Sequence, residues 1–275
     1  MTGVPGTTGV KMVGNARQLA DDPLTARPLI GVLGGLGPAA TLDFYAKVLA
    51  LTPAASDQEH VRLLIDADPE VPNRNESVAG SGPSSAPALV AKAMRLKAAG
   101  AELLVMPCNA AHAYLADIAT ATGLRLISIV DEALKAARSA STGARRIGLL
   151  ATTGTLQAGL YQRAMEAEGL EAATLGAASL ASFMDVIYRV KAGELQGGND
   201  AEGAAGGQQL RGRLLALAAE LIDDGAEVLI AACTEVPLVI TGEAAVQLSV
   251  PLIDATQVLA RAVVDVGAAR RIAAP

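Results

Sequence analysis

The chain has 275 residues, 51% apolar and 18% charged, which fits one large or two small globular domains and excludes a disordered chain. Only 2% are aromatic and the formal charge is −6, so no nucleic-acid partner and no anionic-membrane surface is expected. No apolar run is long enough to span a membrane, two cysteines cannot make a disulfide framework, and residues 1–28 hold no secretory signal, so a cytoplasmic protein is expected.

Residues 1–28 are rich in Gly, Thr and Asp without periodicity and read as a mobile extension. Order begins at Leu29-Ile30-Gly31-Val32-Leu33, an apolar run ending in Gly34-Gly35-Leu36-Gly37-Pro38. A buried strand stopped by glycines, with Pro at the first helical position, predicts strand, turn and helix. That helix is expected over about 41–51, ahead of Pro53. A strand near 61–67, a helix near 88–99, a strand at 103–106 and a helix near 110–121 follow. Further strands are predicted at 126–129, 147–151, 228–231 and 252–253, with helices between most of them. Strands alternating with helices imply parallel sheet covered on both faces. Two small-residue stretches, 79–88 and 193–207, read as flexible.

The chain also repeats itself. Gly100-Ala-Glu-Leu-Leu-Val-Met-Pro-Cys108 aligns with Gly225-Ala-Glu-Val-Leu-Ile-Ala-Ala-Cys233, 125 residues later. Ile30-Gly-Val-Leu-Gly-Gly35 answers Ile147-Gly-Leu-Leu-Ala-Thr152, and Leu126-Ile127 before Asp131 answers Leu252-Ile253 before Asp254. Three landmarks in the same order predict two similar α/β lobes with mainly parallel sheets, related by a pseudo-two-fold axis, with the active site in the cleft between them. The expected lobes are 29–127, completed by 251–275, and 128–250.

Cys108 and Cys233 fall at equivalent places, the end of a buried strand just before a helix or turn. In open α/β sheets ligands bind at that edge, and a nearby helix N-terminus favours thiolate. A buried cysteine is also a small hydrophobe, and for one cysteine alone that reading would suffice. Here both cysteines sit at matched positions, followed by the polar residues Asn109 and Thr234-Glu235. Scattered Cys and His without CxxC or HxxxH spacing disfavour a metal or a redox pair. Two thiols on opposite walls of a cleft could invert a stereocentre, one removing a proton from carbon and the other returning one to the opposite face. The carbanion between those steps needs preorganised donors, for which Asn109 and Thr234 are suitably placed.

At these residues the sequence resembles the aspartate/glutamate racemase family, the cofactor-independent amino-acid racemases, and most closely its aspartate racemase branch. The resemblance spans most of 29–265. It rests on Gly34-Gly35-Leu36-Gly37-Pro38-Ala39-Ala40-Thr41, Asp57-Gln58-Glu59-His60, Asp68-Pro69-Glu70-Val71-Pro72-Asn73-Arg74, Pro107-Cys108-Asn109-Ala110-Ala111-His112, Ala151-Thr152-Thr153-Gly154-Thr155 and Ala232-Cys233-Thr234-Glu235. It implies Cys108 and Cys233 as paired acid and base, without pyridoxal phosphate or metal. It further implies that Asn109, Thr152, Thr153 and Thr234 hold the amino-acid head group, and that Arg74 and Lys191 hold the distal carboxylate of an acidic substrate. A homodimer, and a C-terminal helix near 256–266 that packs back on the first lobe, are implied as well. Ala110 stands where the family usually has Thr or Ser, which removes a hydroxyl beside Cys108 and bears on substrate range.

Other residues carry two readings each. His112, four residues after Cys108 on the same helical face, either polarises the thiol or packs. Glu235 either tunes Cys233 or bonds a neighbouring amide. The Gly34–Gly37 loop lacks the Lys-Ser/Thr of a phosphate cradle and reads as a turn that puts Leu36 and backbone amides in the pocket wall. Arg74 and Lys191 each precede a small-residue stretch, so closing lids are expected there. The alternatives to a racemase are a superfamily relative with another reaction, such as a decarboxylase or cis–trans isomerase, and a non-catalytic amino-acid binding protein.

Overall fold

A computed structural model describes residues 27–195 and 201–268. Residues 1–26 of the expected extension and the middle of the stretch 193–207 lie outside the described residues. The first half runs β1 (Ile30–Gly34), α1 (Pro38–Leu51), β2 (Leu63–Ala67), α2 (Arg74–Ala79), α3 (Ala86–Ala98), β3 (Leu103–Val105), α4 (Leu115–Thr122), β4 (Leu126–Ile127) and α5 (Ile129–Ala140). The second runs β5 (Arg146–Leu149), α6 (Thr153–Gln157), α7 (Leu160–Ala167), β6 (Glu171–Thr174), α8 (Ala177–Lys191), α9 (Ala201–Asp223), β7 (Val228–Ala231), α10 (Val236–Val239), α11 (Gly242–Val246), β8 (Leu252–Asp254) and α12 (Ala255–Ala268).

The strands form two four-stranded sheets, ordered β2-β1-β3-β4 and β6-β5-β7-β8, with every pairing parallel. The internal repeat is thus a repeated topology, and the two lobes of the expected α/β fold are present. Steric detail repeats too. A Cβ on Gly31 in β1 would stand 2.9 Å from Ala101 Cβ and from Leu104 Cδ2. A Cβ on Gly148 in β5 would stand 3.0 Å from Ala226 Cβ and 2.5 Å from Leu229 Cδ2. Each central strand needs glycine at one point so that the turn entering the next strand can press against it.

Apolar periodicity explains the helices. Ser128 caps α5 by accepting from the Asp131 amide at 3.2 Å, and Ile129, Val130, Ala133, Leu134 and Ala137 bury one face. The matched cap in the second half is Asp254, whose Oδ1 accepts from the Thr256 and Gln257 amides. Ser128, not Asp131, is therefore the counterpart of Asp254. One core cluster crosses both halves, joining Ile30, Val32 and Phe44 to Ile147, Leu149 and Val228 through Leu259 and Val263 of α12.

Several expectations need correction. β8 pairs with β7 in the second sheet, so of 251–275 the described part that reaches the first lobe is α12, which packs on both α1 and α5. Residues 110–114 form a 3₁₀ turn before α4 rather than one continuous helix. Within the stretch 79–88, residues 80–85 are an ordered turn between α2 and α3. Gly80 caps α2 in the left-handed region, and Ser85 is buried, its amide on Ser77 Oγ and its hydroxyl on the Pro72 carbonyl. In the second stretch, residues 201–207 open α9. The expected lids therefore have no counterpart in 79–88 or 201–207. Strand β6 (Glu-Ala-Ala-Thr), an edge strand with only Ala173 buried, carries no apolar run. On α1, Leu42, Tyr45 and Leu49 leave an exposed apolar stripe at helical spacing. Among the described residues no helix is long and apolar enough to cross a membrane.

Candidate active site

In each sheet the two central strands send their C-terminal loops toward the other lobe. Leu36 follows β1, Cys108 follows β3, Thr152 follows β5 and Cys233 follows β7, and all four line one cavity of about 240 Å³. That is close to the lower end, about 300 Å³, of ordinary small-molecule pockets. The cavity sits where ligands bind in open α/β sheets, but here two such edges face each other.

Both cysteines are free and buried. Cys233 Sγ donates to Glu235 Oε2 at 3.0 Å, and Thr234 Oγ1 donates to the same oxygen at 3.3 Å. Glu235 Oε1 pairs with Lys191 Nζ from the end of α8. Burial pushes the Cys233 thiol well above its ordinary range, the Glu235 charge adds to this, and Lys191 opposes it. For Lys191, burial works against the charged form, but Glu235 and the two cysteines outweigh it and hold the ammonium above its usual range. Glu235 thus engages the thiol and a cation rather than a neighbouring amide.

Asn109 is buried beside Cys108. Its Oδ1 accepts from Tyr161 Oη at 2.7 Å, whereas its Nδ2 finds no partner among the described residues. Ala110 also lines the cavity. The guanidinium of Arg74 is held at the wall by three carbonyls, Val71 and Pro72 at 2.9 Å and Leu36 at 2.8 Å.

Two expected residues lie elsewhere. The amide of Thr153 approaches Met184 Sδ at 3.4 Å, and its side chain does not line the cavity. A helix advances about 100° per residue, so α6 presents Thr152 and Thr155 to the cavity, their hydroxyls 3.2 Å apart, and turns Thr153 away. His112 sits behind the cavity. The Ile129 amide donates to its Nε2 at 3.1 Å, so Nδ1 carries the proton and donates to the Cys108 carbonyl at 2.8 Å. Burial lowers its pKa to about 4, so it is a neutral brace for the Cys108 backbone and not a polariser of the sulfur.

Sequence reasoning missed the cavity's rim. Tyr188 comes from α8, one turn before Lys191, and both Asn73 Nδ2 and Asn75 Nδ2 donate to its hydroxyl at 3.4 Å. Asn75 Oδ1 accepts from the Gly154 amide at 3.0 Å, which ties α2 of the first lobe to α6 of the second. Asn73 belonged to a quoted motif, but nothing local marked Tyr188 or Asn75. Among the described residues no three His, Cys, Asp or Glu side chains are grouped to hold a metal ion.

Comparison with known proteins adds four likenesses. The model of the Asp/Glu/hydantoin racemase family matches residues 33–263. A broad specificity amino-acid racemase of Bacillus subtilis (strain 168) is 25% identical over 241 residues, covering 86% of this chain and 97% of its own. Among solved structures, Picrophilus torridus aspartate racemase has a TM-score of 0.73 and 25% identity, covering 89% of this chain and 95% of its own. An aspartate racemase homologue from Pyrococcus horikoshii OT3 has a TM-score of 0.65 and 25% identity, covering 87% and 99%.

Proposed function

The chain belongs to the Asp/Glu/hydantoin racemase family, whose members are isomerases, and from that premise we propose that it inverts the α-carbon of aspartate, and secondarily of glutamate, using Cys108 and Cys233. One observation carries the reading. Both free cysteines leave equivalent strands of the two lobes and line the same cavity.

The chemistry follows from that arrangement. One sulfur, as thiolate, takes the α-proton, breaking C–H and forming S–H, and the electron pair delocalises into the α-carboxylate. The opposite thiol then delivers its proton to the other face. Both proton transfers are made by side chains of this chain, and the reading calls for neither pyridoxal phosphate nor metal. The developing negative charge needs fixed donors, one well-placed donor contributing about 3 kcal/mol. The buried Nδ2 of Asn109, without a partner among the described residues, suits that task, and Thr152 and Thr234 line the same cavity. Lys191 and Arg74 supply positive charge for a distal carboxylate. A homodimer, as the resemblance implies, and a cytoplasmic location, as the composition suggests, belong to the same reading, and sedimentation velocity tests the dimer.

A broader amino-acid range is the second reading. Lys191 is already paired with Glu235, Arg74 is already held by three carbonyls, and Leu36, Val71 and Ala110 make an apolar wall. Proton NMR of L-aspartate with the purified protein in D₂O, followed by chiral chromatography, decides between them. Loss of the α-proton signal with appearance of D-aspartate, and no exchange of neutral amino acids run in the same way, supports the first reading. Exchange with neutral amino acids as well as, or instead of, the acidic ones supports the second. Binding without exchange for any amino acid overturns both in favour of a binding protein.

A further inference from the structure

Among the described residues that line the cavity, Glu235 is the single carboxylate, and two-thiol chemistry leaves it without a task. It is 3% exposed, and three donors converge on it: the Cys233 thiol and the Thr234 hydroxyl on Oε2, and the Lys191 ammonium on Oε1. The first turn of α1 also approaches it. A Cβ on Gly37 would stand 2.8 Å from Oε1 and 3.3 Å from Lys191 Nζ, so a larger residue there would have to displace the tips of the ion pair. The titratable groups that face Glu235 are therefore Lys191 from α8 and Cys233 from its own loop. Cys108 from the first lobe bears on the Lys191 charge, and Gly37 contributes no ionisable group.

We propose that Glu235 is the base that ionises Cys233, and that a substrate's distal carboxylate switches it on by drawing Lys191 away. The inference rests on the two-thiol reading above. With Lys191 on Oε1 the carboxylate stays charged and the sulfur keeps its proton. A substrate carboxylate that takes over Lys191 leaves Glu235 a buried anion without the cation bonded to it, which raises its proton affinity; Cys233, which feels the Lys191 charge without being bonded to it, is raised less. The S–H bond of Cys233 breaks, its proton forms O–H on Oε2, and the thiolate left behind takes the α-proton to become thiol again. Cys108 gives its proton to the other face and ends as thiolate. As product leaves, Lys191 returns to Glu235, and the carboxylic proton passes back to Cys108 through solvent. Protons balance over the cycle, and the step that creates the base waits for an acidic substrate.

The test compares wild type with Glu235→Gln, which keeps the size and an acceptor for the thiol but cannot take a proton. Circular dichroism checks the fold. At neutral pH kcat/KM for aspartate is expected to fall about 100-fold or more, as for loss of a general base. The fall is equal in both directions, because the equilibrium constant between mirror images is one. It shrinks toward alkaline pH, where Cys233 ionises unaided, and succinate competes at least as well as against wild type because Lys191 has lost its partner. Glu235→Asp keeps a carboxylate and is expected to retain the wild-type pH profile at reduced rate. A Gln variant with wild-type kcat, a loss that is the same at every pH, or an Asp variant that behaves like the Gln one overturns the inference while leaving the racemase reading standing. A folded wild type that leaves the α-hydrogen of aspartate unexchanged overturns both.

Discussion

Tyr161 Oη of the second lobe donates to Asn109 Oδ1 of the first at 2.7 Å, and both side chains are buried. Burial drives the phenol far above its usual range, so it remains a donor at any working pH. The bond fixes the amide plane of Asn109, spends its oxygen and leaves Nδ2 for a ligand. Tyr161→Phe is expected to cost about 1–3 kcal/mol, because Oδ1 becomes a buried acceptor without a donor. Freeing the amide should also lower kcat/KM about tenfold, the equivalent of roughly 1.4 kcal/mol of transition-state binding. Thermal unfolding and steady-state kinetics read the two effects, and a variant unchanged in both would show that the bond positions nothing.

In the proposed two-thiol mechanism, removing either thiol removes one face of the reaction. Cys108→Ser and Cys233→Ser are each expected to lose about 10²–10⁴-fold in racemisation, as for removal of an acid or base. In D₂O each variant should still exchange the α-hydrogen of one enantiomer. Iodoacetamide should inactivate the wild type, with aspartate protecting. Wild-type turnover by either serine variant rules out the two-thiol mechanism.

His112 predicts acid sensitivity. Its pKa is about 4 in the folded protein against 6.5 for the free group, so between these values the unfolded chain binds more protons. The stability it contributes is complete above about pH 6.5 and is lost as pH falls toward 4, about 3 kcal/mol in all. Urea unfolding across this range is expected to show that slope. His112→Gln, less stable overall, should show a flatter one, and an equal slope in both proteins assigns the sensitivity to other groups.

Gly154 marks a close approach of the two lobes. A Cβ there would stand 2.7 Å from Asn75 Oδ1 and 2.9 Å from Asn75 Cα. Gly154→Ala is expected to push the rim open, costing about 1–3 kcal/mol of stability, typical of overpacking. KM for aspartate should rise more than kcat falls, since the thiols sit on other loops. A variant with wild-type KM would show that the rim yields without affecting binding.

What the sequence made legible was what duplication and burial write into it. The strands of the matched segments are short apolar runs with glycine at fixed points, and the cysteines inherit matched places at their ends. Edge strand β6 buries only Ala173 and has no such signature. Ten of the twelve residues named in advance for the site or its support are drawn to the cavity. Thr153 missed because one helical step rotates it away from Thr152. His112 missed because its ring is satisfied on both nitrogens by backbone. Tyr188 and Asn75 meet only through the tertiary packing of α8, α2 and α6, which no local spacing records.

The apolar cluster that α12 threads between the two halves has a mechanical consequence. Its closing helix is at once ballast for α1 and for α5, and Asp254 at its start is salt-bridged to Lys47 of α1 at 2.7 Å. The two lobes are therefore joined like the halves of a clothes-peg by one shared spring, and any opening is expected at the jaws where Asn75 meets Gly154. Such a molecule should melt as a single cooperative unit, its two sheets denaturing together although each repeats the other's topology.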